Sequence, residues 1–591
     1  MKGRLAAALA AGLIAALLLP AFASTVSAAT ARSHNKANPF GVTVVRFAKG
    51  TTTTQMRSAI TAAGGSIVSD LTKIGAIAAV PSRADFATRI KANARVKAVW
   101  VDRISVTIPR TDTATGGKLP SANPQIGHPG TQSPPDPFHN ATSFLGETNP
   151  EGILQWDDNR MNVPAAWRTT LGDRTVKVAV LDTGVQGSHK EILPNYLNQD
   201  STVTIPCNLL TRQFGPLGNK DCSSEDTEGH GTWVASRIAG AVNGFGSNGV
   251  APRVSVMGVK VLSTTLGGGL TSWIVDGMIH ACDAGADLIN MSLGGYDDPV
   301  ADANDYLLWV AGVNYCRAKG TAIFASAGNE HVRVNRVNLT VGGTAFTGVG
   351  QVATGDEGIL QNIPGEAKVN LGGLLETPAG VPGVVMVSAT GNAIGGSASD
   401  LGGSSLVWPD SFKGRRDQLT YYSSYGSRVD IAAPGGARKF NIPRYDVGAK
   451  DILYGGWGSL GALDASGEIC TDPSLASILT FTCFKVNGQG FGWLQGTSMS
   501  SPNATGVAAL TLAAHHELQG HPDSLLARLK STARTNMTNF MVRDDPDNHA
   551  ADVNGNACTT GYCHLDFDAT PISFASAYGA GIVNASAAVA P

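Results

Sequence analysis

From about residue 154 onward, short apolar runs recur between helix-length stretches, and this rhythm limits the fold more than any other feature of the chain. The runs at 176–181, 254–261, 288–292, 322–325 and 384–389 predict strands. Between them, helices are expected from His230 and over 272–284 and 305–319. The runs are continuous rather than alternating, so both faces of each strand must be covered. Strands of this kind joined by helices predict a parallel sheet with helices on both faces, an α/β domain. Such sheets place their chemistry outside the carboxyl ends of the strands.

Three segments put reactive residues there. Val178-Ala179-Val180-Leu181 runs into Asp182-Thr183-Gly184, a carboxylate at a strand end. Gly229-His230-Gly231-Thr232 sets a histidine between glycines at a helix start, where backbone can approach closely. Gly496-Thr497-Ser498-Met499 precedes a small-residue apolar run, Ala504 to Ala514. Ser498 would therefore stand at the mouth of a buried helix, where unpaired N–H groups and the helix dipole favour developing negative charge. Each residue alone is an ordinary cap or turn residue. Together Asp182, His230 and Ser498 supply orienter, base and nucleophile for acyl transfer. No serine lies in a Gly-x-Ser-x-Gly elbow, which argues against a lipase or esterase of the α/β-hydrolase kind.

These motifs, in the order Asp, His, Ser, resemble the subtilisin family of serine proteases. The resemblance implies that Asn329, ending Ile323-Phe-Ala-Ser-Ala-Gly-Asn329, is the side-chain donor of an oxyanion hole beside the Ser498 N–H. It also implies that Ser292, Leu293, Gly294 and Gly295, with Ala327 and Gly328, bind substrate backbone and wall the S1 pocket. The preference of that pocket stays open. Glu330 directly follows Asn329 and could favour a basic or polar P1 residue, or equally face solvent. The resemblance covers about 154–591, including Val250-Ala-Pro252, Tyr421 to Gly426, Val429 to Gly435 and Tyr578 to Ala585. One departure is Pro502-Asn503-Ala504, where the family commonly has Pro-His-Val, so helix packing is expected to differ there.

Residues 1–29 carry Lys2 and Arg4, an apolar Ala/Leu run and two small-residue cleavage sites, the pattern of a signal peptide. The run is too short to span a membrane. The mature chain is expected to be secreted and extracellular. A net charge of −2 without a basic tract excludes nucleic acid and anionic membrane as expected partners. The eight cysteines fit an oxidising compartment. Sequential pairing (Cys207/Cys222, Cys282/Cys316, Cys470/Cys483, Cys558/Cys563) is the simplest arrangement, although sequence does not fix connectivity. Only Cys558/Cys563 has zinc-like spacing and no second such pair exists, so zinc is set aside.

Residues 42–107 read as β-α-β-β-α-β, a small α+β ferredoxin-like unit, with a helix over 82–94 entered through Ser82-Arg-Ala-Asp85 at capping-box spacing. Its position resembles the family's inhibitory propeptide, so it is expected to act as an intramolecular inhibitor. Residues 108–150, rich in Pro, Gly, Ser and Thr, form a linker holding the maturation site. The catalytic domain spans 151–591, with insertions at about 331–380 and 437–490 that are either cleft rim or surface decoration. Gly244 to Gly249 matches G-x-G-x-x-G but neither leaves a strand nor opens a helix, which excludes a dinucleotide site. Chemistry of this kind requires no cofactor. Structural Ca²⁺ is open: Asp544 to Asn556 offers oxygen ligands without EF-hand spacing, and a solvated acidic loop is the preferred reading. The expected protein is a monomeric, autoprocessed endopeptidase acting on polypeptides. The alternatives are a silent binding protein of the same fold and a transpeptidase.

Overall fold

The computed structural model describes residues 35–107, 112–113, 143–144, 147–148, 155–205, 213, 220–358, 369–392, 416–420, 422–437, 458–471, 483–537 and 572–591. The expected signal peptide, most of the 108–150 linker, the Asp544 to Asn556 run and Cys207, Cys558 and Cys563 lie outside these residues.

The N-terminal unit holds β1 (Thr43–Phe47), α1 (Thr53–Ala63), β2 (Gly65–Ser69), β3 (Ala76–Pro81), α2 (Phe86–Lys91) and β4 (Val96–Val101). Its antiparallel sheet has the order β2-β3-β1-β4. The capping box falls at α1, where Thr52 and Gln55 exchange side-chain bonds with backbone N–H groups. The one expected at residue 82 does not form. The helix there starts at Phe86, and Asp85 pairs with Arg83 instead of capping. The expected last strand, 96–106, is also two strands. β5 (Arg103–Thr107) leaves the sheet after Asp102 and pairs elsewhere.

Period-2 alternation gives this sheet two buried faces. Val45, Ile77 and Ala79 pack with Met56, Ile60, Phe86 and Ile90 of the helices into a core of the unit's own. Val44, Ala76 and Ala78 point the other way, into the core of the large domain. Each larger side chain on that second face contributes about 1.5–3 kcal/mol only while the two units stay together.

The large domain is built on β7 (Lys177–Asp182), β8 (Tyr196–Ser201), β9 (Ser255–Lys260), β10 (Gly268–Leu270, outside the main sheet), β11 (Leu288–Met291), β12 (Gly295–Asp297) and β13 (Ala322–Ser326). It continues with β14 (Val334–Val341), β15 (Thr344–Val352), β16 (Leu375–Thr377), β17 (Val384–Asn392), β18 (Arg416–Leu419) and β19 (Ile431–Pro434). The main sheet runs β8-β9-β7-β11-β13-β17, parallel throughout, with β19 parallel and β18 antiparallel on β17. Alternate residues of β7 feed opposite cores. Val178 and Val180 face α3 (His230–Ala239) and α6 (Thr497–Ala514). Ala179 and Leu181 face α4 (Thr271–Asp283) and α5 (Ala303–Ala318).

At the family departure, Asn503 accepts two hydrogen bonds from Arg237 of α3 (3.2 and 2.9 Å) and donates to the Pro434 carbonyl (2.9 Å). Arg237 also pairs with Asp158 at 2.9 Å, so a buried, hydrogen-bonded cation locks α3 to α6. The first insertion forms a sheet β12-β16-β15-β14 that joins the strand after β11. The second supplies β20 (Ser459–Leu463), β21 (Phe484–Val486) and β22 (Gln489–Gln495), the strand that leads to Ser498. The first insertion is thus hydrogen-bonded to Gly295–Asp297, and the second runs directly into Thr497 and Ser498. Disulfides join Cys282 to Cys316 and Cys470 to Cys483, and Cys222 is also disulfide-bonded. Among the described residues no helix is long and apolar enough to cross a membrane, and no group of three or more His, Cys, Asp or Glu could hold a metal.

Candidate active site

β7 delivers Asp182 at its carboxyl end, and the turn after it meets the start of α3. Asp182 Oδ1 lies 2.8 Å from His230 Nδ1 and also accepts from the Thr183 N–H at 2.7 Å. Both side chains are wholly buried. The contact depends on a close crossing. Thr183 Oγ1 accepts from the Gly231 N–H at 2.9 Å, and a Cβ on Gly231 would stand 2.0 Å from the Gly184 carbonyl oxygen. Only glycine fits beside the histidine.

Asp226 holds this helix start, and the sequence reading did not single it out. It accepts from the N–H groups of Glu228, Gly229 and Thr232 and from the hydroxyls of Thr183 and Thr232. The signal available was an acid four residues ahead of a Gly-bounded helix, where orphan N–H groups need acceptors. Burial works against a charged imidazole at His230, but Asp182, Glu228 and Asp226 outweigh it and hold its pKa above the usual 6.5. Nε2, on the far edge of the ring, has no hydrogen-bond partner among the described residues.

Ser498 is the second residue of α6. Four residues on, Pro502 has no N–H to give the Ser498 carbonyl. The Ser292 hydroxyl replaces that helix bond, donating to the Ser498 carbonyl at 2.7 Å. In return Ser498 Oγ donates to the Ser292 carbonyl at 3.2 Å, a long bond for a hydroxyl. The hydroxyl is thus bonded to Ser292, not to His230, in this state. Asn329 follows β13. Its Oδ1 accepts from Thr497 N and Oγ1, both at 2.8 Å, which turns Nδ2 the other way. A Cβ on Gly496 would lie 3.6 Å from Asn329 Nδ2 and 3.7 Å from Ser498 N, so the two nitrogens stand close together beside Gly496.

The six expected substrate-binding residues form two adjacent walls. Ser292, Leu293, Gly294 and Gly295 continue β11 into β12; Ala327 and Gly328 continue β13. Ser326 Oγ donates to the Leu293 carbonyl at 3.3 Å and ties the walls together. Glu330 turns inward: its Oε2 accepts from the Tyr296 hydroxyl at 2.7 Å. Burial raises its pKa, partly offset by that bond and by backbone N–H groups.

One rim already carries a strand. β5 pairs antiparallel with β10, and the Ser105 carbonyl oxygen would lie 1.8 Å from a Cβ on Gly295. Further along, β6 (Asp112–Thr113) pairs with Leu494 and Gln495 of β22, just before Ser498.

A doubly covered parallel sheet thus carries an Asp–His pair and a helix-mouth serine at its carboxyl edge, in an α/β protein. The chain belongs to the subtilase family, whose model matches residues 173–559. It is 34% identical over 181 residues to the "Major intracellular serine protease" of Bacillus subtilis (strain 168), covering 31% of this chain and 50% of that one. Against subtilisin E of the same organism it is 25% identical over 366 residues, 62% of this chain and 61% of the relative. The chain thus spans roughly half to two thirds of these relatives' length. Among solved structures it is similar to fervidolysin from Fervidobacterium pennivorans, described as a keratinolytic enzyme related to subtilisin. That match has a TM-score of 0.53 and 18% identity over 95% of this chain and 62% of that one. The epidermin leader peptide processing serine protease of Staphylococcus aureus matches at TM-score 0.53 and 16% identity, over 93% and 97%. At such identities the structures speak for the fold.

Proposed function

We propose that this chain is a secreted serine endopeptidase, made as a precursor whose N-terminal domain occupies its own cleft. The observation that carries the reading is the state of the His230 ring, with Nδ1 held by buried Asp182 and Nε2 without a partner among the described residues. An extended peptide adds as a strand between Gly268–Leu270 and Ser292–Gly295. Ser498 Oγ gives up its long bond to Ser292, passes its proton to Nε2 and attacks the scissile carbonyl. Asn329 Nδ2 and the Ser498 N–H take the oxyanion. His230 protonates the departing amine, the acyl-enzyme forms, and water deprotonated by the same imidazole releases the acid. Asp182 keeps the tautomer and stabilises the imidazolium. No cofactor enters the chemistry.

The strand pairings of β5 and β6 support the precursor reading. They flank the site from both sides, and four residues, Ile108 to Thr111, join them. The targeting pattern at 1–29 and the disulfides support export. Ser498→Ala is expected to lower kcat on a peptide substrate by about 10⁶-fold, the loss known for the nucleophile of subtilisin and carried over here. It should also leave the precursor uncut. Turnover within tenfold of wild type would refute the proposal and leave a binding protein of the same fold.

A further inference from the structure

The pocket between the two glycine walls has an acidic floor. β16 pairs antiparallel with β12 and lies beside it, with Glu376 opposite Tyr296. Glu376 is 1% exposed. Its Oε2 accepts from the Gly380 N–H, but Oε1 has no hydrogen-bond partner among the described residues. That bare oxygen would lie 3.3 Å from a Cβ on Gly294, a residue of one wall. On the other wall Glu330 Oε2 would lie 2.8 Å from a Cβ on Gly328, beside the Tyr296 hydroxyl and Ser424 Oγ at 3.1 Å each. No side chain from Gly294, Gly295, Ala327 or Gly328 fills the space between. Arg428 is the nearby buried cation, and it is committed. It pairs with Asp430 at 2.7 Å and donates to the carbonyls of Val381 (3.0 Å) and Val384 (2.7 Å).

We infer that this pocket selects a basic P1 side chain, arginine or lysine, with Glu376 at its floor and Glu330 at its wall as the counter-charges. The inference rests on the endopeptidase reading above. A buried carboxylate oxygen with no donor is costly unless something supplies one. A guanidinium offers five donors in a fork, enough for two carboxylates, and an ammonium offers three. Burial, reinforced by Glu330 and offset by backbone N–H groups and Arg428, holds the Glu376 pKa well above the usual carboxylate range, so the empty pocket keeps its proton. An entering cation releases it. The chain carries a matching sequence of its own: of the four residues between β5 and β6, Arg110 is the basic one.

The test uses the wild-type enzyme, its active sites counted by a fluorophosphonate at Ser498, on peptides that differ only at P1. Arginine and lysine substrates should exceed leucine and glutamine by about 10²-fold in kcat/KM. Glu376→Gln should cut the arginine-to-leucine ratio by about the same factor. The bond cut in wild type but intact in Ser498→Ala should be Arg110–Thr111, read as a new N-terminal Thr111. Equal or better turnover of the leucine peptide, an unchanged ratio in Glu376→Gln, or a self-cut after a non-basic residue overturns the inference. Absence of phosphonate labelling overturns the endopeptidase reading instead.

Discussion

Buried carboxylates stand on both sides of the cleft, and they differ in how many donors reach them. On the histidine side Asp226 takes five donors from the start of α3 and its neighbours, and Asp182 takes His230 and a backbone N–H. On the pocket side Glu376 takes one backbone N–H, and its Oε1, like Asp182 Oδ2, has no hydrogen-bond partner among the described residues. Asp226 is spent on architecture, fixing one helix start, and Asp182 fixes one imidazole tautomer through Oδ1 alone. What separates Asp226 from Glu376 is the number of donors nearby, since both are buried.

The comparison breaks first at Asp182. Asp182→Asn should lower kcat by about 10⁴-fold while the fold survives, because the amide can still fill the space but cannot hold the imidazole's tautomer or its charge. Steady-state kinetics with unfolding curves checks this; a loss under tenfold would mean the carboxylate is not acting through His230. Asp226→Ala should act on stability. Five donors lose their acceptor, and unfolding free energy should drop by about 3 kcal/mol or more, read in chemical denaturation. A neutral result would show that water replaces the carboxylate without loss.

The smallest effect concerns the buried carboxylates at the seam with the N-terminal segment. Asp297 accepts from Asn35 of the N-terminal segment at 2.8 Å, and burial, then Asp302, pushes its pKa to about 8, against the opposing pull of Asn35 and Arg103. Burial likewise pushes Asp102, at the turn into β5, to about 7. Both values stand above the ordinary 3.8, so the folded chain keeps protons that the unfolded chain gives up. Stability is therefore full below pH 4 on this account and falls as pH rises through 7–8. In the uncut Ser498→Ala chain the unfolding midpoint should decline by a few degrees between about pH 5 and 9. Asp297→Asn should flatten part of that slope. A midpoint that rises over this range would contradict the assignment.

Much of this was legible in the sequence. The apolar runs at 176–181, 288–292 and 322–325 became β7, β11 and β13, because a strand covered on both faces must be apolar throughout. The histidine and serine motifs opened α3 and α6 as expected. Other features were not legible. The expected helix over 82–94 shortened to Phe86–Lys91 once Asp85 paired with Arg83 instead of capping. The strand expected over 96–106 divided because its second half found an edge at Gly268–Leu270, far along the chain.

The sequence by itself determined the sheet, its helices and which residue types stand at strand ends, since periodicity and turn chemistry act over a few neighbouring positions. The tertiary structure alone decided that Ser292 replaces the helix bond missing at Pro502 and that Asp226 gathers the donors around His230. It alone also decided that Glu376 lies bare beside Gly294. Desolvation and hydrogen-bond partnership depend on which groups arrive from distant segments, and local patterning carries no record of them.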